Sequence, residues 1–105
     1  MKKLHHKQTQ KIGKGGRICL WNKILLDTGF TFGQAIEIEQ TGAKISIRPN
    51  SEARRKVSSV INHGNKLPVI DLKQNKSIDI AALGDHGDAV EVYFASNLIV
   101  ILPKE

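Results

Sequence analysis

The chain has 105 residues, of which 40% are hydrophobic and 25% charged. This length is enough for one compact domain, and the composition is that of a globular protein and not of a disordered chain. The single cysteine, Cys19, excludes an intramolecular disulfide. The basic start lacks the apolar run of a signal peptide, and no segment has the roughly 18 apolar residues of a membrane span, so we expect a cytoplasmic protein without membrane contact.

The formal net charge of +6 is unevenly distributed. Residues 1–66 contain 13 lysines and arginines and 4 acids, whereas residues 67–105 contain 3 and 6. Such asymmetry is typical of a protein with one end that binds a polyanion. A basic surface that only maintains solubility explains the charge equally well, so other features must decide.

Residues 1–16 contain five lysines, no acid and three glycines. Before Ile12 the segment offers almost no apolar surface for burial. This composition predicts a flexible basic arm.

Residues 17–49 predict a strand, a short helix and a β-hairpin. Residues 18–20 alternate as a short strand, and the next apolar residues recur at helical spacing until Gly29, which is placed to end the helix. Residues 35–39 and 44–48 alternate as two strands around a turn at 40–43. Pro49 then ends the second strand.

Residues 50–67 are predicted to be a basic linker that forms a helix. Ser51 is a suitable N-cap and Gly64 a suitable end. The apolar stripe of this helix would consist of Ala53, Val57, Val60 and Ile61.

Residues 68–105 repeat the first unit. At an offset of 54 residues, Gly33, Ala35, Ile36, Ile38, Ile45, Ile47 and Pro49 correspond to Gly87, Ala89, Val90, Val92, Ile99, Ile101 and Pro103. At an offset of 52, Ile18 and Leu20 correspond to Ile70 and Leu72. We therefore expect a mainly β fold with short helices, in which residues 17–49 and 68–105 form two repeats related by a pseudo-twofold axis.

The first repeat resembles the AbrB/MazE swapped-hairpin family. The resemblance rests on Gly16-Arg17-Ile18-Cys19-Leu20, Ile24-Leu25, Gly29-Phe30, Gly33-Gln34-Ala35-Ile36-Glu37-Ile38, Gly42 and Ile45-Ser46-Ile47. Within the family, Leu20-Trp21-Asn22 and Leu25-Leu26 are most similar to the SymE-like branch. The chain departs from the family at Trp21, where many members have proline, and at Ala81-Ala82, which replaces the glycine-aromatic pair in the second repeat.

This resemblance implies a swapped-hairpin β-barrel that two repeats of one chain would form together. It also implies nucleic-acid binding, as in transition-state regulators and antitoxin DNA-binding domains. A SymE-like toxin that acts on RNA or compacts DNA is the alternative. An antitoxin-like interaction protein is disfavoured because the chain stops two residues after Pro103, without the long tail usual in that class.

Phosphate binding requires cations that nearby acids do not neutralise. Arg17 is the first candidate, because the matching arginine of the family lies at the DNA-facing edge. The full predicted set of nucleic-acid-binding residues is Lys11, Lys14, Arg17, Lys23, Arg48, Arg54, Arg55 and Lys56. DNA is favoured over RNA as the partner. The acidic second repeat would be a structural mate or a surface for another protein, and a homodimer is left open.

Other constellations point away from catalysis. The glycines near Lys14 lack the ending of a phosphate-binding loop, and the histidines and Cys19 lack zinc-ligand spacing. Asp85, Asp88 and Glu91 could assist a nuclease, but the flanking glycines favour an ordinary turn. Trp21 is expected to pack against the barrel. We therefore predict no catalytic residue, metal or cofactor, with an RNA-cleaving toxin as the alternative.

Overall fold

The computed structural model describes residues 4–21 and 23–104. Most of this part of the chain lies in strands, which confirms the predicted mainly β class. Its elements are β1 (Leu4–Lys11), β2 (Arg17–Leu20), α1 (Ile24–Asp27), β3 (Ala35–Thr41), β4 (Lys44–Pro49), β5 (Arg55–Lys56), β6 (Ser58–Asn62), β7 (Asn65–Lys73), a 3-10 helix (Ile80–Ala82), β8 (Ala89–Ala95) and β9 (Leu98–Pro103). No helix of the described chain is long and apolar enough to cross a membrane.

The described strands form two antiparallel sheets. One has six strands in the order β1-β8-β9-β4-β3-β5, and the other has three in the order β2-β7-β6. A single core of aliphatic side chains, with Phe30 and Phe94, lies between them. The predicted closed barrel is not found, because β1 and β5 are edge strands of the larger sheet and β2 and β6 are edge strands of the smaller one.

The registers of two strand pairs, β4–β9 and β2–β7, are symmetric. In the pair β4–β9, Ile45 lies opposite Ile101 and Ile47 opposite Ile99. In the pair β2–β7, residues Ile18 and Leu20 lie opposite Leu72 and Ile70. Each residue therefore lies opposite the repeat counterpart of the residue two positions away. A local twofold axis between the paired strands produces this pattern.

The edge strands follow the same pattern across the two repeats. The Ile12 N–H donates to Asp88 O at 2.9 Å, and the Val57 N–H donates to Gln34 O at the same distance. Gln34 and Asp88 are equivalent at the offset of 54 residues. Each repeat is thus bordered by the strand that precedes the other repeat, because β1 pairs with β8 and β5 pairs with β3.

The predicted flexible arm is wrong for residues 4–11, which form β1 on the edge of β8. The inner positions of β1 carry a ladder of polar side chains in place of apolar ones. His6 Nε2 lies 3.3 Å from Gln8 Oε1, Gln8 donates to Gln10 at 3.0 Å, and Gln10 donates to Cys19 O at 3.1 Å. These bonds satisfy polar groups that would otherwise be costly to cover. Residues 1–3 of the predicted arm lie outside the described residues.

The predicted linker helix is also wrong. Val57 is buried and continues β5, whereas β6 and β7 form a hairpin. His63 and Gly64 connect the hairpin with φ angles of 51° and 78°. A two-residue loop with positive φ at both positions matches the twist of antiparallel strands. The β-branched residues Val60 and Ile61 therefore lie in a strand instead of forming a helical stripe.

The β6–β7 hairpin makes the two repeats unequal. In the first repeat, a short glycine turn connects Ile12 to Ile18. In the second repeat, the residues equivalent to Ile12 and Ile18 are Val57 and Ile70, and β6, the hairpin turn and the first half of β7 lie between them. This insertion extends the three-stranded sheet with an additional edge strand.

Candidate nucleic-acid interface

Arg17 projects from the first position of β2 onto the outer face of the three-stranded sheet, where its side chain is 51% exposed. Its Nε and Nη2 donate to the two carboxylate oxygens of Asp71 on β7 at 2.8 and 2.7 Å. The bond from Arg17 holds the pKa of the Asp71 carboxyl below its ordinary value, so Asp71 is charged at neutral pH. This bidentate pair occupies two of the five N–H donors of the guanidinium.

Two further cations lie around the same carboxylate. Lys73 is the register partner of Arg17, and Arg55 on β5 donates to the main-chain carbonyl of Asp71. The positive charges of Lys73 and Arg55 lower the pKa of Asp71 further. Three cations thus surround one acid, which leaves a local excess of positive charge.

Arg55 also lines an open groove of about 630 Å³ between β3, the segment that precedes β5 and the segment after β7. Arg54 and Lys76 line the groove as well, and Glu37 is the one acid among the described lining residues. The floor is apolar, with Ile36, Ile38 and Ile78. We call this feature the basic groove, and together with Arg17 and Lys73 we call it the basic surface.

The structure brings only part of the predicted set together. Arg17, Arg54 and Arg55 belong to the basic surface. Lys14 lies in the β1–β2 turn, which is tied to the end of β7 by a bond of 2.9 Å from the Gln74 N–H to Gly16 O.

The other predicted residues do not line the basic groove. Lys11 and Lys56 are on β1 and β5, at opposite edges of the six-stranded sheet. Arg48 lies opposite Glu37 in the β3–β4 pair, and Lys23 precedes α1. None of the four therefore belongs to the basic groove, although the β-bridge between Gly13 and Arg17 keeps Lys11 near the start of β2.

Lys73 and Lys76 are the members of the basic surface that sequence reasoning assigned to the acidic repeat and left out. A symmetric pairing of β2 with β7 at the repeat offset already places Lys73 opposite Arg17. That pairing was the available signal for Lys73. No pattern in the sequence pointed to Lys76, because it lies in an irregular segment after β7.

The acid cluster of the second repeat forms a turn. The carboxylate of Asp88 accepts a hydrogen bond of 2.8 Å from the Asp85 N–H, which is the usual role of an aspartate in a turn. Glu91 lies on β8, 3.7 Å from the ammonium group of Lys7. Among the described residues, no group of three or more histidine, cysteine or acidic side chains is placed to hold a metal ion.

Trp21 does not pack against the core as expected, since 52% of it is exposed. It follows β2 and lines a second depression together with Arg17 and Cys19. Partial burial raises the pKa of the Cys19 thiol, and the nearby Asp71 charge raises it further. The thiol is therefore protonated at neutral pH, which fits a packing role better than a nucleophilic one.

Comparison with known proteins adds no relative to this picture. The chain matches no family model, and no curated protein and no solved structure matches it significantly.

Proposed function

We propose that this protein binds nucleic acid through the basic surface, with DNA favoured over RNA, and acts in the cytoplasm as a nucleoid-associated regulator of transcription. The observation that carries the proposal is the basic groove, where Arg54, Arg55 and Lys76 line one open depression with a single described acid. Cations that share an open surface with few acids are the requirement for phosphate contact.

The contacts of Asp71 support a continuous binding surface. Asp71 contacts Arg17 through its carboxylate and Arg55 through its main-chain carbonyl. These bonds hold both guanidinium groups on the same side of the molecule before a ligand binds. Such preorganisation lowers the side-chain entropy lost on binding.

We further propose that the two repeats form an AbrB-like swapped pair within one chain. The symmetric registers of β2–β7 and β4–β9 support this proposal, as does the pairing of β1 and β5 with the opposite repeat. The ends of the hairpins also contact the opposite repeat. Gln40 exchanges two hydrogen bonds with the main chain of Asp79, and the Asn97 N–H donates to Thr28 O.

The test is a binding comparison of duplex DNA, single-stranded DNA and RNA across a salt series. Arg54→Ala, Arg55→Ala and Lys76→Ala should each weaken duplex binding for unrelated sequences. For each lost phosphate contact, the slope of log affinity against log salt should decrease by about 0.9. Lys44→Ala is the matched control, because Lys44 is exposed on β4 and does not line the basic groove.

The outcomes separate the candidate functions. Duplex binding that depends on the groove cations would support a DNA-binding regulator. Cleavage of the RNA would support the SymE-like toxin instead. If no nucleic acid binds at low salt, or if the control lowers affinity as much as the groove variants, the proposed function is wrong.

A further inference from the structure

The depression beside Trp21 is an open pocket of about 390 Å³, within the size range of small-ligand sites. We call it the tryptophan pocket. Its described lining combines the indole of Trp21 with aliphatic and polar side chains from β2, β6 and β7, namely Arg17, Cys19, Val60, Ile61, Asn62 and Val69. Arg17 is the one charged group in this set.

The exposed apolar surface of the pocket requires an explanation. Trp21 is 52% exposed, and Ile61 and Val60 on β6 are 69% and 41% exposed. Among the described residues, four large hydrophobic side chains are highly exposed, and three of the four line this pocket. A cluster of exposed apolar side chains around a depression is typical of a binding site.

The inserted hairpin builds one wall of the tryptophan pocket. Val60, Ile61 and Asn62 belong to β6, which has no counterpart in the first repeat. Val57 and Ile70 keep the core positions on either side of the insertion. The extra strand thus adds exposed apolar surface beside Trp21 without adding to the buried core.

The tryptophan pocket is connected to the basic groove by a chain of direct contacts. Arg17 lines the pocket and binds the carboxylate of Asp71. Arg55 binds the main-chain carbonyl of the same aspartate and lines the groove. A ligand that extends from the groove to the pocket would therefore pass a surface with excess positive charge.

A polyanion with flat apolar groups fits this combination. An unpaired nucleobase can stack on an exposed indole, and the phosphates on either side of it can contact arginine and lysine. The bases of a duplex are stacked inside and cannot reach the indole in this way. We infer that the tryptophan pocket takes an unpaired base of single-stranded nucleic acid, with Arg17 at a flanking phosphate; this inference rests on the proposed nucleic-acid binding.

The experiment compares an oligothymidylate of about 15 nucleotides, the matching oligouridylate and a duplex DNA of the same length. This length is close to the largest site size of a single domain that binds single strands. Trp21 is the only tryptophan, so its intrinsic fluorescence reports on the pocket directly. Single strands should quench this fluorescence at saturation, whereas the duplex should not. Comparison of the two single strands shows whether the pocket prefers DNA or RNA.

Trp21→Ala should lower the affinity for single strands by about five- to 140-fold, the range of one lost base–aromatic stack. Affinity for the duplex should remain unchanged. Trp21→Phe should retain most of the single-strand affinity, whereas Trp21→Leu should not, because only phenylalanine offers an aromatic face. Comparison of Trp21→Phe with Trp21→Leu tests for base stacking even if Trp21→Ala is less stable. Phe32→Leu is the control, because Phe32 is also an exposed aromatic residue but lies outside the pocket. The ammonium group of Lys66 lies 4.6 Å from the centre of its ring.

Two results would overturn the inference while the proposed function stands. One is single-strand affinity that is the same for wild type, Trp21→Ala and Trp21→Leu. The other is an equal loss of duplex and single-strand affinity in these variants. If the wild-type protein binds none of the three nucleic acids at low salt, the proposed function fails, and the inference fails with it.

Discussion

Replacement of Asp71 by asparagine should raise the affinity for nucleic acid while it lowers stability. The substitution keeps the size of the side chain but removes the carboxylate that Arg17 binds at two points. Arg17 keeps three N–H donors for a ligand in the wild type, and in the variant all five are available, which adds one phosphate contact. One added contact makes the salt dependence steeper by about 0.9, so affinity should fall about 3.5-fold more than that of wild type between 50 and 200 mM salt.

The assay for Asp71→Asn is duplex binding across that salt range, together with a thermal melt. Asp85→Asn is the control, because it makes the same change of charge in an exposed turn of the second repeat. The expected signature is higher affinity at low salt, a steeper slope and a lower melting temperature for Asp71→Asn alone. If both variants show the same gain in affinity, only net charge has changed, and Arg17 has no direct part in binding.

The remaining predictions concern stability. Ile12→Ala removes three carbons from a side chain that is 1% exposed, so unfolding in urea should show a loss of about 2–5 kcal/mol. Lys7→Ala, on the exposed face of the preceding strand β1, should change stability by less than about 0.5 kcal/mol, and equal effects would show that β1 is not anchored by Ile12. Because pairing lowers the pKa of Asp71, its contribution to stability is present at neutral pH and is lost as pH falls through the pKa of the folded state. The difference in melting temperature between wild type and Asp71→Asn should therefore shrink from about pH 7 to about pH 2, and a constant difference would contradict the assignment.

The elements with an apolar period were predictable from the sequence. The structure has β-hairpins at the expected positions in both repeats. It also has the expected strand, Arg17–Leu20, and the expected helix, Ile24–Asp27, which ends before Gly29. In each case an alternating or helical pattern of aliphatic residues coincides with a turn residue. The agreement of the two segments at offsets of 52 and 54 residues also predicted which strands are equivalent.

The strand β1 could not be recognised by this reasoning, because its inward positions carry His6, Gln8 and Gln10. Hydrophobic periodicity detects only strands whose buried face is apolar. Here the polar side chains bond to one another and to Cys19 O, so the strand has a satisfied face without an apolar signature. The strand β6 was missed for the opposite reason, since its apolar residues Val60 and Ile61 are exposed and mimic the stripe of a helix.

The candidate site could be predicted only in part, because it depends on contacts between distant segments. Arg54 and Arg55 stood out as a basic run, but no pattern of residues indicated that they share a groove with Lys76. The pairing of Arg17 with Asp71 spans 54 positions and follows from the antiparallel register of β2 and β7. That register decides whether a cation near the start of a strand is exposed alone or beside an acid.

The symmetric pairing of the repeats within one polypeptide has a consequence for mass action. When two separate chains supply the halves of a symmetric pair, dilution separates them and the melting temperature depends on concentration. Here β2 with β7, and β4 with β9, belong to the same chain. Their association is intramolecular, so its equilibrium is independent of how many copies are present. A substitution or insertion in one repeat also need not occur in the other, and the hairpin inserted before Ile70 is present in the second repeat alone.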